Sequence, residues 1–412
     1  MTDEIKVIKG SGGPPPPPPP PYRAPDTLHS RSFATVQDLI SEGEIEGFAS
    51  ASKAQLTKGT TAYDNASLKD IFLNNTPILQ ETASNSSPVD TDFNFKDVVF
   101  KSRFGTSSQT ALSGIPAESR SPTGVGVIVT TSAPVTRQIT NTDVDAVIVT
   151  LTWPQIQVFG DEGDIRGDTV EYKIQIQHDS GGFVDKITAS VDGRTADAYA
   201  RDHRIQLTSG FTTVDVRVVR VTADSTDTQR VNAFQFTSLQ EVIDNNSTYA
   251  NSAYTALRFD SKQFNRVPSR KYRIRGVKVR IPGAGASGTG TPTVDIQTGR
   301  IIYPSGYVFN GVMGAATYTN CPAMCLLDLL TNTRYGLGNH IVDSNIDLFS
   351  FVAASKYANE EVDDGTGSGA KEARFSCNVN IQSPKEAFAA INDLAGVMRC
   401  MPIWSAGGIT LS

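Results

Sequence analysis

Four runs of alternating apolar and polar residues dominate the chain between about residues 123 and 242: GVGVIVTT, VDAVIVTLTW, TVEYKIQIQ and TTVDVRVVRV. Strand side chains point alternately to the two faces of a sheet, so in the third run one face carries Val170, Tyr172, Ile174 and Ile176. Turn-forming sequences such as DEGDIRGD and HDSGG separate the runs. This pattern predicts an antiparallel β-sandwich of the immunoglobulin or fibronectin type at 123–242.

Shorter strands and a few helices are predicted outside this stretch. FLNNTPIL predicts two strands joined by a tight turn at Asn74 and Asn75. Helical patterns begin only after Pro322. The last of them, SPKEAFAAINDLAGVMR, predicts a helix with Ser383 as N-cap and Glu386 completing a capping box. The fold class is therefore mainly β with a minor α+β part.

Residues 1–32 have the composition of an arm rather than of a domain. They include eight consecutive prolines, Pro14 to Pro21, which lack backbone donors and favour an extended polyproline II conformation. Two interpretations of this flexible arm stay open. It is either a stiff spacer or a ligand for an aromatic-lined groove on a neighbouring subunit.

The composition argues against several classes of protein. A chain of 412 residues exceeds what one hydrophobic core usually serves, which predicts about two to four domains. The net charge of -6 argues against a general nucleic-acid binder that neutralises phosphates. The 4 cysteines are too sparse for a disulfide-stapled domain and fit synthesis in a reducing cytoplasm. The sequence predicts neither an export signal nor a membrane span.

No group of residues predicts a catalytic or metal site, and no cofactor is expected. Cys321 and Cys325 have the spacing of one helix face, but no further ligands complete a tetrahedral site, so we interpret them as buried structural cysteines. The alternating acids beside two glycines are interpreted as a solvated strand face rather than a glycosidase pair: Glu42, Glu44 and Glu46. The histidines are scattered and are assigned no metal: His29, His178, His203 and His340. The chain is predicted not to be an enzyme.

Positive charge is concentrated in residues 258–280, where Asp260 is the only acidic residue. Two interpretations stay open. The segment either contacts an acidic partner or DNA phosphates, without regard to base sequence, or it is the wet face of strands whose apolar residues interleave with the bases. The candidate site residues are Arg258, Lys262, Arg266, Arg270, Lys271, Arg273, Arg275, Lys278 and Arg280.

Five segments, in this order, carry a resemblance to a known family: SEGEIEGF (41–48), FLNNTPIL (72–79), DSKQFNRVPSRKYRIRG (260–276), LLDLLTNTRYGLG (326–338) and MRCMPIW (398–404). They resemble the amino-terminal hub region of the tail tip (host-specificity) protein J family of lambda-like long-tailed phages, from about residue 33 onward. The polyproline arm and the glycine-rich loop at 282–292 depart from the family pattern. The long carboxy-terminal receptor-binding parts of the family have no counterpart here.

The resemblance implies a homotrimeric structural hub at the tail tip of a siphovirus virion, made in the host cytoplasm. Such a hub closes the tail tube, adapts its sixfold symmetry to a threefold tip, and takes part in host attachment and DNA ejection. The implied partners are the tail tip ring and distal tail proteins, the tape measure protein, viral DNA in transit, and a host receptor through a carboxy-terminal part outside this chain. A bulky residue at Gly276, which interrupts the basic run, is expected to weaken assembly more than it alters the fold.

The implied domains are β-barrel hub domains with the β-sandwich inserted between their parts. A first hub barrel is expected at 33–122 plus 243–320, the inserted sandwich at 123–242, and a second hub region with helices at 321–412, expected to continue further. One alternative is a carbohydrate-binding or adhesin module, which calls for clustered exposed aromatics, whereas Trp153 and Trp404 both have apolar neighbours in sequence. The other is a tail-associated cell-wall hydrolase, which calls for an acid pair or a metal site.

Overall fold

Strands outnumber helices along the described residues of this computed structural model, which are 20–112, 116–119, 122–244, 246–383, 386–405 and 407–412. The prediction of a mainly β chain with a minor helical part is confirmed. The chain divides into two units. The sandwich unit comprises Met1–Arg31, described from residue 20 onward, and Pro116–Asp244. The split unit comprises Ser32–Ile115 and Asn245–Ser412.

Strands and helices are numbered in chain order. The first part of the split unit contains β1 (Phe33–Glu42), β2 (Ile45–Phe48), β3 (Ile71–Leu73), β4 (Thr76–Pro77) and β5 (Val99–Phe104), with helices α1 (Ala49–Lys53) and α2 (Thr61–Leu68). The sandwich unit contains β6 (Pro116–Ser119), β7 (Thr123–Ile128), β8 (Val135–Ile139), β9 (Ala146–Trp153), β10 (Gln157–Phe159), β11 (Ile165–Arg166), β12 (Asp168–His178), β13 (Val184–Gly193), β14 (Tyr199–Gln206), β15 (Val214–Arg220), β16 (Arg230–Val231) and β17 (Gln235–Asp244). The second part of the split unit contains β18 (Ser252–Asp260), β19 (Arg270–Tyr272), β20 (Ile274–Pro282), β21 (Thr293–Val294), β22 (Ile301–Ile302), β23 (Met313–Tyr318), β24 (Glu361–Asp363), β25 (Lys371–Ala373), β26 (Pro402–Ser405) and β27 (Gly408–Leu411), with α3 (Pro322–Thr331), α4 (Leu348–Ala358) and α5 (Ala387–Val397).

Two antiparallel sheets share one core in the sandwich unit. One sheet has the strand order β13-β12-β15-β8, and the other has β14-β9-β17-β6 with β7 also paired to β17. The predicted alternation is present in β12, whose buried side chains are Val170, Tyr172, Ile174 and Ile176. Trp153 of β9 is fully buried and stacks on Phe234, with the ring centroids 5.0 Å apart. The predicted antiparallel β-sandwich is therefore confirmed.

The end of the predicted arm makes backbone hydrogen bonds within the sandwich unit. The Ala24 amide donates to the carbonyl of Ile165 over 2.8 Å. Arg194, whose side chain is almost fully buried, donates to the Ala24 carbonyl and pairs with Asp26, both at 2.8 Å. These contacts hold Ala24 and Asp26, which follow the prolines in sequence, against the sandwich unit. Residues 14–19 of the polyproline segment lie outside the described residues.

Short sheets make up the split unit, with the strand orders β1-β18-β5, β2-β20-β23 and β19-β3-β4. The predicted turn between β3 and β4 is confirmed, because Asn74 and Asn75 have φ values of 49° and 69°, the conformation that suits a two-residue hairpin. No sheet of the described residues closes into a barrel, which differs from the β-barrel hub domains that the resemblance implied. Sheets of three strands, with a bulge in β1 between Leu39 and Ser41, are too small to close within one chain.

Three helices pack around a core at the carboxy-terminal end of the split unit, with α3 in contact with both α4 and α5. The capping prediction for α5 is wrong. This helix begins at Ala387, and its N-cap Glu386 makes no side-chain capping bond. Phe388 in the first turn is exposed, whereas Leu394 and Ala395 are buried. Packing stabilises mainly the part of the helix from Ile391 onward, because that part contacts the core.

Strand β27 is hydrogen-bonded to other elements of the split unit. β27 pairs with β26 as an antiparallel hairpin, and the Asp347 amide donates to the carbonyl of Ile409 over 3.0 Å. The apolar setting expected for both tryptophans holds for Trp153 but not for Trp404 of β26, which is 65% exposed. None of the helices in the described part of the chain is both long enough and apolar enough to cross a membrane.

Candidate functional site

The basic segment follows one path through the split unit, from β18 to the end of β20. Arg258 lies on β18, Lys262 on the short 3-10 turn Ser261–Gln263, and Arg266 on the loop that follows. The others lie on or beside the next two strands: Arg270 and Lys271 on β19, Arg273 just before β20, and Arg275, Lys278 and Arg280 on β20. The structure therefore brings the predicted residues into one region, but it gives them different environments.

Arg270 is bound to a carboxylate within the unit. Its Nε and a second guanidinium nitrogen donate to the two oxygens of Asp38 over 2.5 and 2.8 Å. The Tyr272 hydroxyl donates to the same carboxylate over 2.6 Å. Burial favours the protonated form of Asp38, but the hydrogen bonds from Arg270 and Tyr272 outweigh it and lower the pKa of this carboxyl. Arg270 therefore joins β19 to β1 rather than facing a partner.

Arg273 forms an ion pair with the buried carboxylate of Asp70. Its Nε donates over 2.6 Å to Asp70, whose side chain is fully buried. The same carboxylate accepts bonds from the Ser50 amide at 2.6 Å and the Ser50 hydroxyl at 2.9 Å. A second pair, at 2.9 Å, joins Arg273 to the exposed Glu81. This network holds the start of α1 against the entry to β20.

A cleft of about 270 Å³ adjoins this network and is lined by Ala49, Ser50, Lys53, Lys69, Glu81 and Arg273. Two of its three basic residues are already engaged, since Arg273 binds acids and Lys69 donates to the Ala83 carbonyl over 2.5 Å. The cleft therefore lacks the converging free charges that binding of an anionic ligand requires.

The three bases on β20 are also engaged within the unit. Lys278 lies 2.7 Å from Glu44 and 3.7 Å from Glu46, and Arg280 forms two bonds of 2.9 Å with Asp343. Arg275 is buried and donates to a backbone carbonyl over 3.0 Å. Glu42 likewise pairs with Arg334 at 2.5 Å. The alternating glutamates, predicted to be a solvated face, are partly exposed and also serve as acidic partners of basic residues.

Five of the predicted bases are exposed: Arg258, Lys262, Arg266, Lys271 and Arg273. Arg273 is paired with acids and Arg258 lies on an aromatic ring, which leaves three: Lys262, Arg266 and Lys271. Within the described part of the chain, none of the three lies within ion-pair distance of an acidic residue. Arg258 differs from them, because its guanidinium lies over the Phe33 ring, 4.0 Å from the centroid. Only this subset of the predicted site is available to a partner of opposite charge.

The loop that carries Lys262 and Arg266 is anchored at both ends. Near its start, the Gln263 amide side chain donates to the Lys96 carbonyl over 2.7 Å and accepts from the Lys96 amide over 3.0 Å. The Phe264 ring packs against Phe95, with centroids 5.2 Å apart. At its end, the Ser269 amide donates to the Asn74 side chain over 3.0 Å. A loop held in this way loses little entropy on binding, which favours recognition by its charged residues.

The cysteines at the start of α3 are held within the split unit. Cys321 is the N-cap of α3 and is buried, as expected of a structural cysteine, and its Sγ lies 3.2 Å from the Ser355 hydroxyl. Cys325 is half-buried, with its Sγ 4.0 Å from the Thr319 carbonyl. In the described residues, no group of three or more His, Cys, Asp or Glu side chains could hold a metal ion.

Comparisons with known proteins connect this fold to phage tails. Residues 119–245 match the family model described as the FNIII-A domain of tip attachment protein J. The tip attachment protein J of Escherichia phage SECphi4 is 30% identical over 400 residues, covering 96% of this chain and 31% of that protein. The corresponding protein of Escherichia phage SECphi27 is 28% identical over 345 residues, covering 84% of this chain and 27% of that protein.

The chain is therefore similar to tip attachment protein J, over residues 119–245 by the family model and over most of its length by these relatives. It spans less than a third of the length of these tip attachment proteins. Nearly all of the residues that the family model matches lie in the sandwich unit. A solved structure titled "CBM4 structure and function" is 11% identical, covers 26% of this chain and 57% of its own, and has a TM-score of 0.15. A likeness that weak carries no argument about this chain.

Proposed function

We propose that this chain is a structural hub protein at the tail tip of a siphovirus. Three copies close the tail tube, adapt its sixfold symmetry to a threefold tip, and take part in host attachment and DNA ejection. The observation that carries the proposal is the 30% identity over 400 residues with a tip attachment protein. The proposed role is structural rather than catalytic, in a protein made in the host cytoplasm and incorporated into the virion.

An uncovered sheet edge supports assembly into a closed ring. β1 is a strand of 10 residues that pairs with β18 along one side. No strand of the described residues pairs with its other side, and Leu39 in this strand is 65% exposed. Long exposed edges promote unwanted pairing unless they are covered, and ring closure by identical subunits covers them.

The exposed bases of the anchored loop, together with Lys271 on the following strand β19, support a contact with a negatively charged partner. Lys262, Arg266 and Lys271 are free of intramolecular ion pairs among the described residues, in a chain whose net charge is -6. The proposed partners are the tail tip ring and distal tail proteins, the tape measure protein and viral DNA in transit. Recognition of the host receptor is assigned to a carboxy-terminal part outside this chain.

Electron microscopy of labelled tails tests the proposed location and symmetry. Intact virions are incubated with an antibody raised against residues 122–244, and averaged images of the tails are examined. The proposal predicts label at the tail tip only, in a threefold arrangement, and a trimeric mass for the purified chain. Label elsewhere on the virion, or a monomer that binds polysaccharide, contradicts the proposal and favours an adhesin.

A charge-reversal variant tests the role of the anchored loop. Lys262→Glu combined with Arg266→Glu is expected to give normal folding but tails that lack an assembled tip, because the loop then repels an acidic partner. The matched control is Arg137→Glu combined with Lys186→Glu in the sandwich unit, which changes the net charge equally. Normal tip assembly by the loop variant, or equal loss in both variants, excludes a specific role for the loop.

A further inference from the structure

The loop between β22 and β23 contains Asn310, the one asparagine of the sequence that is followed by glycine. Asn310 is exposed, and its Oδ1 accepts a hydrogen bond from the Val312 amide over 2.9 Å. This bond forms an Asx turn, in which the asparagine side chain folds back over the backbone of the next residue. The turn therefore directs the side-chain carbonyl carbon of Asn310 toward the backbone nitrogen of Gly311.

Gly311 leaves the approach of these two atoms unhindered. A Cβ built on this glycine meets a single neighbouring heavy atom, the Phe349 Cζ, at 4.0 Å. Its φ of +90° is one that glycine adopts without strain. Within the described part of the chain, the Gly311 amide makes no hydrogen bond, so its proton is available to a base from solvent.

We propose that Asn310 is a site of spontaneous deamidation, which places a carboxylate in an apolar surface of the split unit. That surface is formed by Val308, Val312 and Phe349, each of which is more than half exposed. Phe349 packs on Phe309 with the ring centroids 5.2 Å apart. The inference concerns the chemistry of the turn and does not depend on the proposed tail tip function.

The reaction consumes water and releases ammonia, without a change of oxidation state. The Gly311 nitrogen loses its proton to solvent and attacks the side-chain carbonyl carbon of Asn310, and the bond from that carbon to Nδ2 breaks as ammonia leaves. The product is a five-membered cyclic imide. Water then opens the ring at the side-chain carbonyl to give aspartate, or at the backbone carbonyl to give isoaspartate.

The Val312 amide is a positioning group for this reaction. Negative charge develops on the Asn310 Oδ1 during the attack, and the Val312 N–H already donates to that oxygen. Removing one such donor from an enclosed enzyme site slows a reaction by about 10²-fold or more. In an exposed turn water replaces part of the effect, so loss of this donor is expected to slow deamidation by about tenfold.

A second Asx turn in the same unit provides an internal control. The Oδ1 of Asn332 accepts a hydrogen bond from the Arg334 amide over 2.9 Å. The residue that follows Asn332 is Thr333, whose branched side chain crowds the backbone nitrogen. The two asparagines share the turn but differ in the residue that follows. Asn332 is therefore expected to deamidate much more slowly than Asn310.

Peptide mapping by mass spectrometry of the full chain tests the site. The purified protein is incubated in neutral buffer for several days, and the digests are examined for replacement of an amide by an acid and for isoaspartate. The expected result is conversion of Asn310, into both aspartate and isoaspartate, while Asn332 stays intact. Val312→Pro removes the donating amide and should slow conversion by about tenfold, whereas the matched control Val312→Ala should keep the wild-type rate.

Three outcomes would overturn the inference. An intact Asn310, or equal conversion of Asn310 and Asn332, would show that the turn and its glycine do not form a reactive site. Aspartate without any isoaspartate would show direct hydrolysis of the amide rather than ring formation. Equal rates in Val312→Pro and Val312→Ala would remove the amide from the reaction. Circular dichroism of each variant before incubation confirms that a changed rate does not reflect a lost fold.

Discussion

In the sandwich unit, long alternating strands such as β9 and β12 bury every second side chain in one continuous core. In the split unit, shorter sheets alternate with helices, and the buried side chains fall into separate clusters, one around Phe48 and Leu257 and another around Leu327 and Phe351. One continuous core is stabilised mainly by apolar burial. Several smaller cores need further interactions to hold their elements together.

The two units also differ in the apolar side chains that they expose to solvent. The exposed large apolar residues of β7, β13 and the strand ends of the sandwich unit are mostly valine and isoleucine. The split unit exposes larger ones, including Phe349, Phe388, Met401 and Trp404. Exposed aromatic and methionine side chains are enriched where proteins meet other proteins. The larger exposed side chains of the split unit are consistent with the proposed contacts between subunits.

The largest effect is expected from a cavity in the continuous core. Phe236→Ala, at a fully buried position of β17, should lower the free energy of unfolding of the sandwich unit by about 3–5 kcal/mol. Trp153 is fully buried in the same core and Trp404 is 65% exposed, so the blue-shifted part of the tryptophan emission reports on this unit. Denaturant titration should show an earlier loss of that emission, with the transition of the split unit unchanged. A parallel shift of both transitions would show that the units unfold together.

A smaller effect is expected when an ion pair of the split unit is broken. Asp70→Ala removes a fully buried carboxylate and leaves the Ser50 donors and Arg273 without their acceptor. Loss of about 2–3 kcal/mol is expected, because Arg273 is partly exposed and recovers some hydration. The measurement is denaturant unfolding followed by far-ultraviolet circular dichroism. The control Glu81→Ala removes an exposed partner of the same arginine and should cost less than about 1 kcal/mol.

The sequence predicts the two units unequally well for a physical reason. Alternation is a local property, so the strands around Val170 and Tyr172 and the turn at Asn74 could be predicted from neighbouring residues. The start of α5 could not, because it depends on how far the helix reaches into a core built by distant residues. Likewise, the exposure of Trp404 depends on the hairpin in which it lies.

The basic segment, too, could be predicted from the sequence only in part. The concentration of basic residues is visible in the sequence, but their acidic partners are far away along the chain, as for Arg270 with Asp38 and Arg280 with Asp343. Only the three-dimensional fold separates these bonded bases from the exposed Lys262.

A pH-dependent effect of intermediate size is expected in the sandwich unit. Burial, followed by the positive charge of Arg201, lowers the pKa of His203 to about 4, and its Nε2 lies 2.8 Å from the Tyr172 hydroxyl. An unfolded histidine has a pKa of about 6.5. Between these values the unfolded chain binds a proton that the folded unit does not, so the stabilisation is complete above pH 6.5 and decreases as the pH falls toward 4.

The expected loss between pH 7 and pH 4 is about 1 kcal/mol, after allowance for partial exposure of the ring. Urea unfolding at several pH values should show this slope for the wild-type chain and a reduced slope for His203→Gln. His340→Gln serves as the control, because His340 is exposed in the split unit. An identical slope in His203→Gln would assign the pH dependence to other groups.

The smallest effect on stability is expected at Gly276, where the surface of the split unit is tested rather than its core. A Cβ built on Gly276 meets no heavy atom within 4 Å, whereas one on Gly47 would lie 2.2 Å from the Tyr63 hydroxyl, at a φ of +136°. Gly276→Leu should therefore change the free energy of unfolding by less than about 0.5 kcal/mol yet reduce the trimeric fraction seen by light scattering. Gly47→Leu should instead lose the native circular dichroism spectrum. Equal unfolding in both variants would show that Gly276 is needed for packing inside the chain, and an unchanged trimeric fraction would remove it from the subunit interface.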